Sequence, residues 1–222
     1  MQLVKNMTKF FEYGSKHYPK MIGYLLEHLS MCVTALAISF LIAILVSLLL
    51  MKNKMVSKIV VAVLGAFYAI PSMAFFAILI PVFGLGKTDA VVVLIVYSQF
   101  ILVRNILAGF NGVDAVLLEA ARGMGMSPVQ IFFKVQLPLV LPVVLGGIRI
   151  AIVVTISSAT IAQTVNAGGI GVLLFDGLRT LNVVKMIWGT ILTALLTLGF
   201  NYILERLERY TLAKSRGELI KE

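Results

Sequence analysis

Histidine and cysteine are the side chains best suited to hold a metal ion or to act as a nucleophile, and this chain has few of them. His17 and His28 both precede the first apolar segment, and the single Cys32 lies inside that segment. A structural zinc site needs four such ligands and a disulfide needs two cysteines, so we expect neither. The sequence therefore predicts no catalytic residues, no metal site and no cofactor held by the chain itself.

Two glycine-rich stretches could instead bind a phosphate group. Gly86-Lys87-Thr88 looks like the end of a phosphate-binding loop, but that loop requires G-x-x-x-x-G-K-[ST], and Pro81 stands where its first glycine belongs. Ala167-Gly168-Gly169-Ile170-Gly171 lacks the preceding strand that a dinucleotide-binding fingerprint requires. We therefore predict no nucleotide site, and we interpret the second stretch as an extracellular turn or a re-entrant segment.

One cation lies deep in an apolar segment. Arg149 falls roughly 16 Å along a helix from Pro138, at a rise of about 1.5 Å per residue. A charge near the bilayer midplane is unfavourable, which makes Arg149 a candidate functional residue. The alternative is that Arg149 pairs with carbonyl oxygens or with a polar partner at a subunit interface.

Polar side chains continue beyond Arg149 in the same segment, and a second polar group lies midway through the preceding segment. These side chains could line a polar path, or they could bond back to helix carbonyls and support close packing. The candidates for the path are Tyr97, Gln99, Arg149, Thr155 and Ser158.

The elements that must position these residues are apolar helices. Hydrophobic residues make up 60% of the chain, charged residues 13%, and the mean hydropathy is +1.01. Since a membrane-spanning helix needs ~20 mostly apolar residues, we predict an all-α integral membrane protein with five transmembrane helices. The predicted spans cover about 29–51, 57–83, 90–110, 138–162 and 183–204.

The polar flanks of these spans predict the organisation of the chain and its orientation. We expect an N-terminal extracytoplasmic segment (1–28), a transmembrane domain (29–204) with a polar connector (111–137), and a cytoplasmic tail (205–222). Lys and Arg are more numerous beside the connector and in the tail than on the other side, which places the connector inside. The net charge of +9 is not clustered on a soluble domain, so we expect no nucleic-acid partner.

Short polar residues and prolines predict where the spans begin and bend. Ser57, Asp89 and Asn182 each stand at the start of a span, where a polar side chain can cap the helix. Pro138 opens the fourth span, at a position where a missing N–H has no consequence. Pro71 lies within the second span and predicts a kink there.

The connector contains signals for a helix, a glycine turn and a second helix. Asp114 is a candidate N-cap for the first helix, and Gly123 and Gly125 are expected to end it. Ser127 and Gln130 form an S-x-x-Q capping box that opens the second helix. We predict that this second helix leads directly into the fourth span.

The connector also carries the pattern E-A-A-x3-G-x9-I-x-L-P, with Val135 in place of Ile. The pattern resembles the signature loop of the membrane subunits of ATP-binding-cassette importers. That resemblance implies a type I importer-like permease fold, in which the loop is a cytoplasmic coupling helix docked into a separate ATPase subunit that binds the ATP. The coupling residues implied by the resemblance are Glu119, Ala120, Ala121, Gly125, Leu137 and Pro138.

Further stretches, among them Ile70-Pro71-Ser72 and Gly147-Ile148-Arg149, are similar to the permeases of osmoprotectant importers for glycine betaine, choline or carnitine. The resemblance implies a bacterial plasma-membrane assembly of two permease chains, identical or paralogous, two ATPase subunits and an extracytoplasmic substrate-binding protein. Methionine or other amino-acid importer permeases share the loop and remain an alternative. A channel or secondary carrier is the alternative from another class, although no acidic residue lies well inside a predicted span.

Overall fold

The computed structural model describes residues 2–215, with side chains from residue 8 onward, and this part of the chain contains no strand. Residues 216–222 of the predicted tail lie outside the described residues. The helices are α1 (Gln2–Leu50), α2 (Lys54–Tyr68), α3 (Ser72–Phe83), α4 (Lys87–Asn111), α5 (Ala115–Gly123), α6 (Pro128–Ile131), α7 (Leu137–Ile161), α8 (Gly171–Arg179) and α9 (Val183–Ser215). A π-helical turn (Phe132–Gln136) precedes α7, and a 3₁₀ turn (Ala162–Val165) follows it.

Helix α1 is much longer than the predicted first span. It has 49 residues, contains Pro19 and begins at Gln2, whereas the predicted first span begins near residue 29. At 1.5 Å per residue it is roughly 74 Å long, whereas the hydrocarbon core of a bilayer is about 30 Å thick. The N-terminal segment is therefore a helical extension of the first span.

The second span is broken rather than kinked. Helices α2 and α3 meet at an angle of 94°, and Pro71 is the residue that precedes α3. The Tyr97 hydroxyl donates a hydrogen bond to the carbonyl of Ile70 in this break, which satisfies a backbone group that has no helical partner. Helices α2 and α3 together still join the two ends of the bundle. Helix α2 begins beside the end of α1. Helix α3 ends just before Lys87, which pairs with Glu27 on α1 at the opposite end of the bundle.

Among the described residues, four helical stretches are long and apolar enough to cross a membrane alone: 8–50, 87–111, 128–165 and 183–215. The broken pair α2 and α3 adds a fifth crossing when it is counted as one span. These crossings alternate, so that the end of α1, the start of α2, the end of α4, the connector, the start of α7 and the end of α9 share one end of the bundle. We refer to this end as the connector end.

Helix α4 lies at the centre of the bundle, where it packs against α1, α2, α3 and α7. Small residues recur every four positions along α1 and form one face of the helix that packs against α4, as close helix packing requires. All four are fully buried: Ala35, Ser39, Ala43 and Ser47. The Gln99 amide donates to the carbonyl of Ser39 at 3.0 Å across this interface. Close approach of the two backbones is what makes that hydrogen bond possible.

The helix starts agree with the sequence prediction in one case of three. The Asn182 side chain accepts from the backbone N–H of Lys185 at 3.2 Å, which confirms it as a cap. The prediction for Ser57 was wrong, because Asn53 caps α2 one turn earlier by accepting from Met55 and Val56. The prediction for Asp89 was also wrong, because α4 already begins at Lys87 and Asp89 lies in its first turn.

Candidate functional site

The connector begins with α5, whose two ends have the predicted chemistry. Asp114 accepts from the backbone N–H of Val116 at 2.9 Å and so caps the start of the helix. At the other end the N–H of Met126 bonds to the carbonyl of Ala121 and the N–H of Gly125 to that of Arg122. This is a Schellman C-cap, and it requires the positive φ of +77° that Gly125 adopts.

The second half of the connector is continuous with the membrane helix. The capping box is formed, with Ser127 N–H donating to Gln130 Oε1 at 2.8 Å and Gln130 N–H donating to Ser127 Oγ at 3.3 Å. Pro138 has no N–H, and in the π-helical turn before it the Leu137 N–H bonds five residues back to Phe132. Helix α6 therefore runs through this turn into α7 without a flexible joint, and the predicted helical start at Pro138 lies inside one helical stretch.

The surface of the connector includes several exposed apolar side chains. Val116, Met124 and Val129 expose 68%, 75% and 66% of their surface, and Leu117 and Phe133 are also exposed. Glu119 and Ala120 are exposed beside them, whereas Ala121 is buried. A contiguous group of exposed apolar side chains with a polar rim is typical of a protein interaction site. Sequence reasoning identified Leu117 as an apolar residue of this helix but did not identify Val116, Met124, Val129 or Phe133 as part of an exposed apolar surface.

Arg149 has acidic partners within the same chain. Its Nε lies 3.4 Å from Glu208 Oε2 and its Nη1 lies 3.9 Å from Glu205 Oε2, both on α9. Arg209 completes the group by donating to Glu205 Oε1 at 2.5 Å. The alternative given for Arg149 named carbonyl oxygens or a polar partner at a subunit interface. The partners are instead carboxylates of the same chain, because α9 continues past residue 204 and brings them against α7. We call Arg149, Glu205, Glu208 and Arg209 the α7–α9 charge cluster.

The other candidates for a polar path are buried between helices. Tyr97 reaches the break before α3, and Gln99 reaches α1, as described above. The Thr155 hydroxyl lies 3.1 Å from that of Ser98 and donates to the carbonyl of Ala151 at 2.7 Å. Ser158 is buried on the same helix. These contacts match the alternative of helix packing, and a role in a translocation path stays a prediction.

The glycine-rich stretch 167–171 forms a turn at the end of the bundle opposite the connector. Gly168 and Gly169 have φ values of +83° and +75°, and the N–H of Gly169 donates to Glu27 Oε2 at 3.2 Å. His28 is fully buried beside this turn, with Nε2 3.2 Å from the carbonyl oxygen of Ile156. The turn is thereby tied to α1 and α7. In α8, which follows it, a hydrogen bond from Lys185 holds the pKa of the Asp176 carboxyl below its usual value.

Gly171→Ala should destabilise this end of the bundle. A Cβ atom at Gly171 would lie 2.2 Å from the carbonyl oxygen of Thr160 and 2.9 Å from Cβ of Gln163, so the backbone of α8 would have to move. Overpacking of this kind costs ~1–3 kcal/mol or more. We expect the thermal midpoint of the detergent-purified variant to fall by several degrees. Gly23→Ala is the control, since no atom lies within 4 Å of a Cβ there, and an equal loss in both variants would contradict the close-packing argument.

Comparison with known proteins shows which family shares the sequence of this chain. Residues 33–216 match the family described as the binding-protein-dependent transport system inner membrane component. The chain belongs to this family. It is 32% identical over 182 residues to the carnitine transport permease protein OpuCB of Listeria monocytogenes, covering 82% of this chain and 84% of that one. It is also 32% identical over 183 residues to the choline transport system permease protein OpuBB of Bacillus subtilis, with coverage of 82% and 84%.

Solved structures support the same fold. The chain superimposes on an inward-facing form of the MetNI methionine ABC transporter with a TM-score of 0.78 and 24% identity, covering 86% of this chain and 95% of that one. The predicted all-α permease fold of the type I importers is therefore confirmed. As a family member with apolar helices of spanning length, the chain is a multi-pass inner membrane component of a transport system.

Proposed function

We propose that the chain forms the translocation path of an ATP-driven importer for osmoprotectants such as glycine betaine, choline or carnitine. The substrate class rests on the carnitine and choline permeases, each 32% identical to this chain over 82% of its length, whereas the identity to the methionine transporter is 24%. The similarity to relatives of both kinds makes an amino-acid importer the second candidate. Quaternary ammonium groups bind to aromatic faces, and Tyr97 lies in a group of rings with Tyr68 and Phe75.

The proposal that the chain is coupled to an ATPase rests on the structure of the connector. It combines an exposed apolar surface, a glycine turn with a fixed backbone, and a helix that is continuous with α7. A partner that binds α5 and α6 would therefore move α7 as one rigid unit, which is what mechanical coupling requires. We propose that this partner is an ATPase subunit, that it binds the ATP, and that the chain itself is not catalytic.

The proposed orientation and assembly follow from the binding of an ATPase subunit at the connector. An ATPase that uses cellular ATP requires the connector end in the cytoplasm, which puts the N-terminus outside and the C-terminus inside. The opposite end, with the 167–171 turn, would then face the extracytoplasmic binding protein. A second permease chain, identical or paralogous, would complete the path, and two ATPase subunits would serve the pair.

Uptake measurements test the substrate and the energy source together. Labelled glycine betaine, choline, carnitine and methionine would be offered to a host that lacks its own systems and expresses this chain with its ATPase and binding protein. We expect uptake of the quaternary amines, and we expect no uptake when the ATPase subunit carries a mutation that blocks ATP hydrolysis. Uptake of methionine alone would replace the substrate proposal, and uptake that survives the ATPase mutation would favour a channel or secondary carrier.

A further inference from the structure

A small basic pocket lies at the connector end, in the corner where α1 ends and α2 begins. Its volume is about 210 Å³, and α1, α2 and α4 all contribute to its walls. The polar part of the lining consists of Lys54, Ser57, Lys58 and Asn111, and the apolar part includes Leu50 and Leu107. The pocket is separate from the exposed surface of α5 and from the α7–α9 charge cluster.

The polar groups of this pocket are available to a ligand. Within the part of the chain that the structure describes, Ser57 and Asn111 make no side-chain hydrogen bond, and Lys54 and Lys58 form no ion pair. The hydroxyl and the amide can donate one hydrogen bond or more, and each ammonium can donate three. The pocket therefore offers only uncommitted polar side chains, two of them cationic.

The charge around the pocket is of one sign. The sequence contains no acidic residue between Glu27 and Asp89, a stretch that includes the end of α1 and the whole of α2 and α3. Lys52 adds a third cation in the turn between α1 and α2. Asp114 follows Asn111 at the connector, but its carboxylate is already engaged as the cap of α5. The local field therefore favours an anion.

The surroundings of the pocket favour a lipid over a soluble anion. Leu49, Met55 and Ile59 flank it in sequence and expose 78%, 69% and 54% of their surface, and the lysines lie at the end of the apolar helices. A ligand that combines an anionic headgroup with acyl chains would satisfy both regions at once. Basic pockets between transmembrane helices are a known type of site for anionic lipid headgroups.

We propose that this pocket binds the phosphodiester headgroup of an anionic phospholipid of the phosphatidylglycerol or cardiolipin type. Lys54 and Lys58 pair with the phosphate, Ser57 and Asn111 donate hydrogen bonds to its oxygens, and the acyl chains lie along the exposed apolar faces of α1 and α2. The lipid fixes the corner between these helices to the membrane surface. The proposal concerns lipid binding by this chain alone and does not depend on the transported substrate.

The test measures lipid binding to the full-length chain purified in detergent. Phosphatidylglycerol and phosphatidylcholine are titrated in parallel, and bound lipid is counted by native mass spectrometry. We expect a preference for phosphatidylglycerol that weakens at high salt. Dissolved salt screens the attraction between exposed charges, over about 8 Å at physiological ionic strength and over shorter distances as the salt concentration rises. Lys54→Gln with Lys58→Gln should weaken phosphatidylglycerol binding roughly thirtyfold, at about 1 kcal/mol for each lysine near an anionic surface.

Two further variants separate the pocket from general surface charge. Lys9→Gln with Lys16→Gln removes the same charge from exposed lysines of α1 near the opposite end and should leave the binding unchanged. Ser57→Leu keeps both lysines but fills the pocket, and it should also weaken phosphatidylglycerol binding. Each variant is compared with the parent chain by circular dichroism, so that a folding defect is recognised.

Three outcomes would overturn the proposal. The first is equal binding of phosphatidylglycerol and phosphatidylcholine by the parent chain. The second is unchanged binding of phosphatidylglycerol in both the double-lysine variant and Ser57→Leu. The third is displacement of the lipid by millimolar inorganic phosphate, which would indicate a site for a small soluble anion. None of these results would affect the transport proposal, which is tested by uptake.

Discussion

Glu119→Lys should abolish substrate-stimulated ATP hydrolysis by the assembled transporter while the chain remains inserted and folded. Glu119 is exposed on α5 and forms no ion pair among the described residues, so its replacement leaves the interior of the chain untouched. If the connector docks into an ATPase, a reversed charge within the buried interface costs ~2–5 kcal/mol, which lowers the stimulated rate by roughly a hundredfold. The measurement is ATP hydrolysis by the complete transporter in proteoliposomes, with and without substrate-loaded binding protein.

Glu12→Lys is the matched control, since Glu12 is also an exposed glutamate but lies on the N-terminal part of α1, far from the connector end. It should retain normal stimulation. Normal stimulation in Glu119→Lys as well would remove the connector from the docking interface, and unstimulated hydrolysis in both variants would indicate a general defect.

Gly125→Val should produce the same loss of stimulation through the backbone. Gly125 has a φ of +77°, and a non-glycine residue in this region is disfavoured by roughly 1–2 kcal/mol, more for a β-branched one. The valine would shift the Schellman cap and turn α5 away from α6. Gly123→Ala is the control, because Gly123 is helical and nothing lies within 4 Å of a Cβ there. A stimulated rate that is equal in Gly125→Val and Gly123→Ala would contradict a role for the turn geometry.

The local structure of the connector was predictable because its signals act over a few residues. The Asp114 cap, the Ser127 and Gln130 capping box and the glycine turn each depend on hydrogen bonds between near neighbours. The small-residue face of α1 was predictable for a similar reason, since a four-residue repeat fixes one face of a helix. What these signals could not specify is which partner covers the exposed apolar residues.

Helix lengths and long-range contacts were not predictable in the same way. A hydropathy pattern locates apolar residues, but a polar helical extension such as the first part of α1 or the last part of α9 has no apolar signal. Pro71 indicated a kink, yet the 94° angle depends on tertiary contacts such as the hydrogen bond from Tyr97 to Ile70. The partners of Arg149 were missed because Glu205 and Glu208 were assigned to a tail.

Arg149→Glu should destabilise the chain strongly, because it would place a third carboxylate between Glu205 and Glu208. The pair distances of 3.4 and 3.9 Å are those of direct ion pairs, and the three side chains are about one-third exposed. Removal of one partner costs ~3–5 kcal/mol for a fully buried pair and ~0–1 kcal/mol at a surface. We therefore expect a loss of about 1–3 kcal/mol, detected as a lower thermal midpoint of the purified chain by size-exclusion chromatography after heating. Arg179→Glu, at an exposed ion pair of α8, is the control and should change the midpoint little.

A charge exchange then separates a structural role of Arg149 from a role in the translocation path. Arg149→Glu combined with Glu208→Arg restores an opposite pair between α7 and α9, so the thermal midpoint should return most of the way to that of the parent chain. If the charge cluster only joins the two helices, uptake should recover in parallel with stability. If Arg149 acts on the substrate, the exchanged chain will be stable but inactive, because the cation then stands on α9. A chain that stays unstable after the exchange would contradict the assignment of Glu208 as the partner of Arg149.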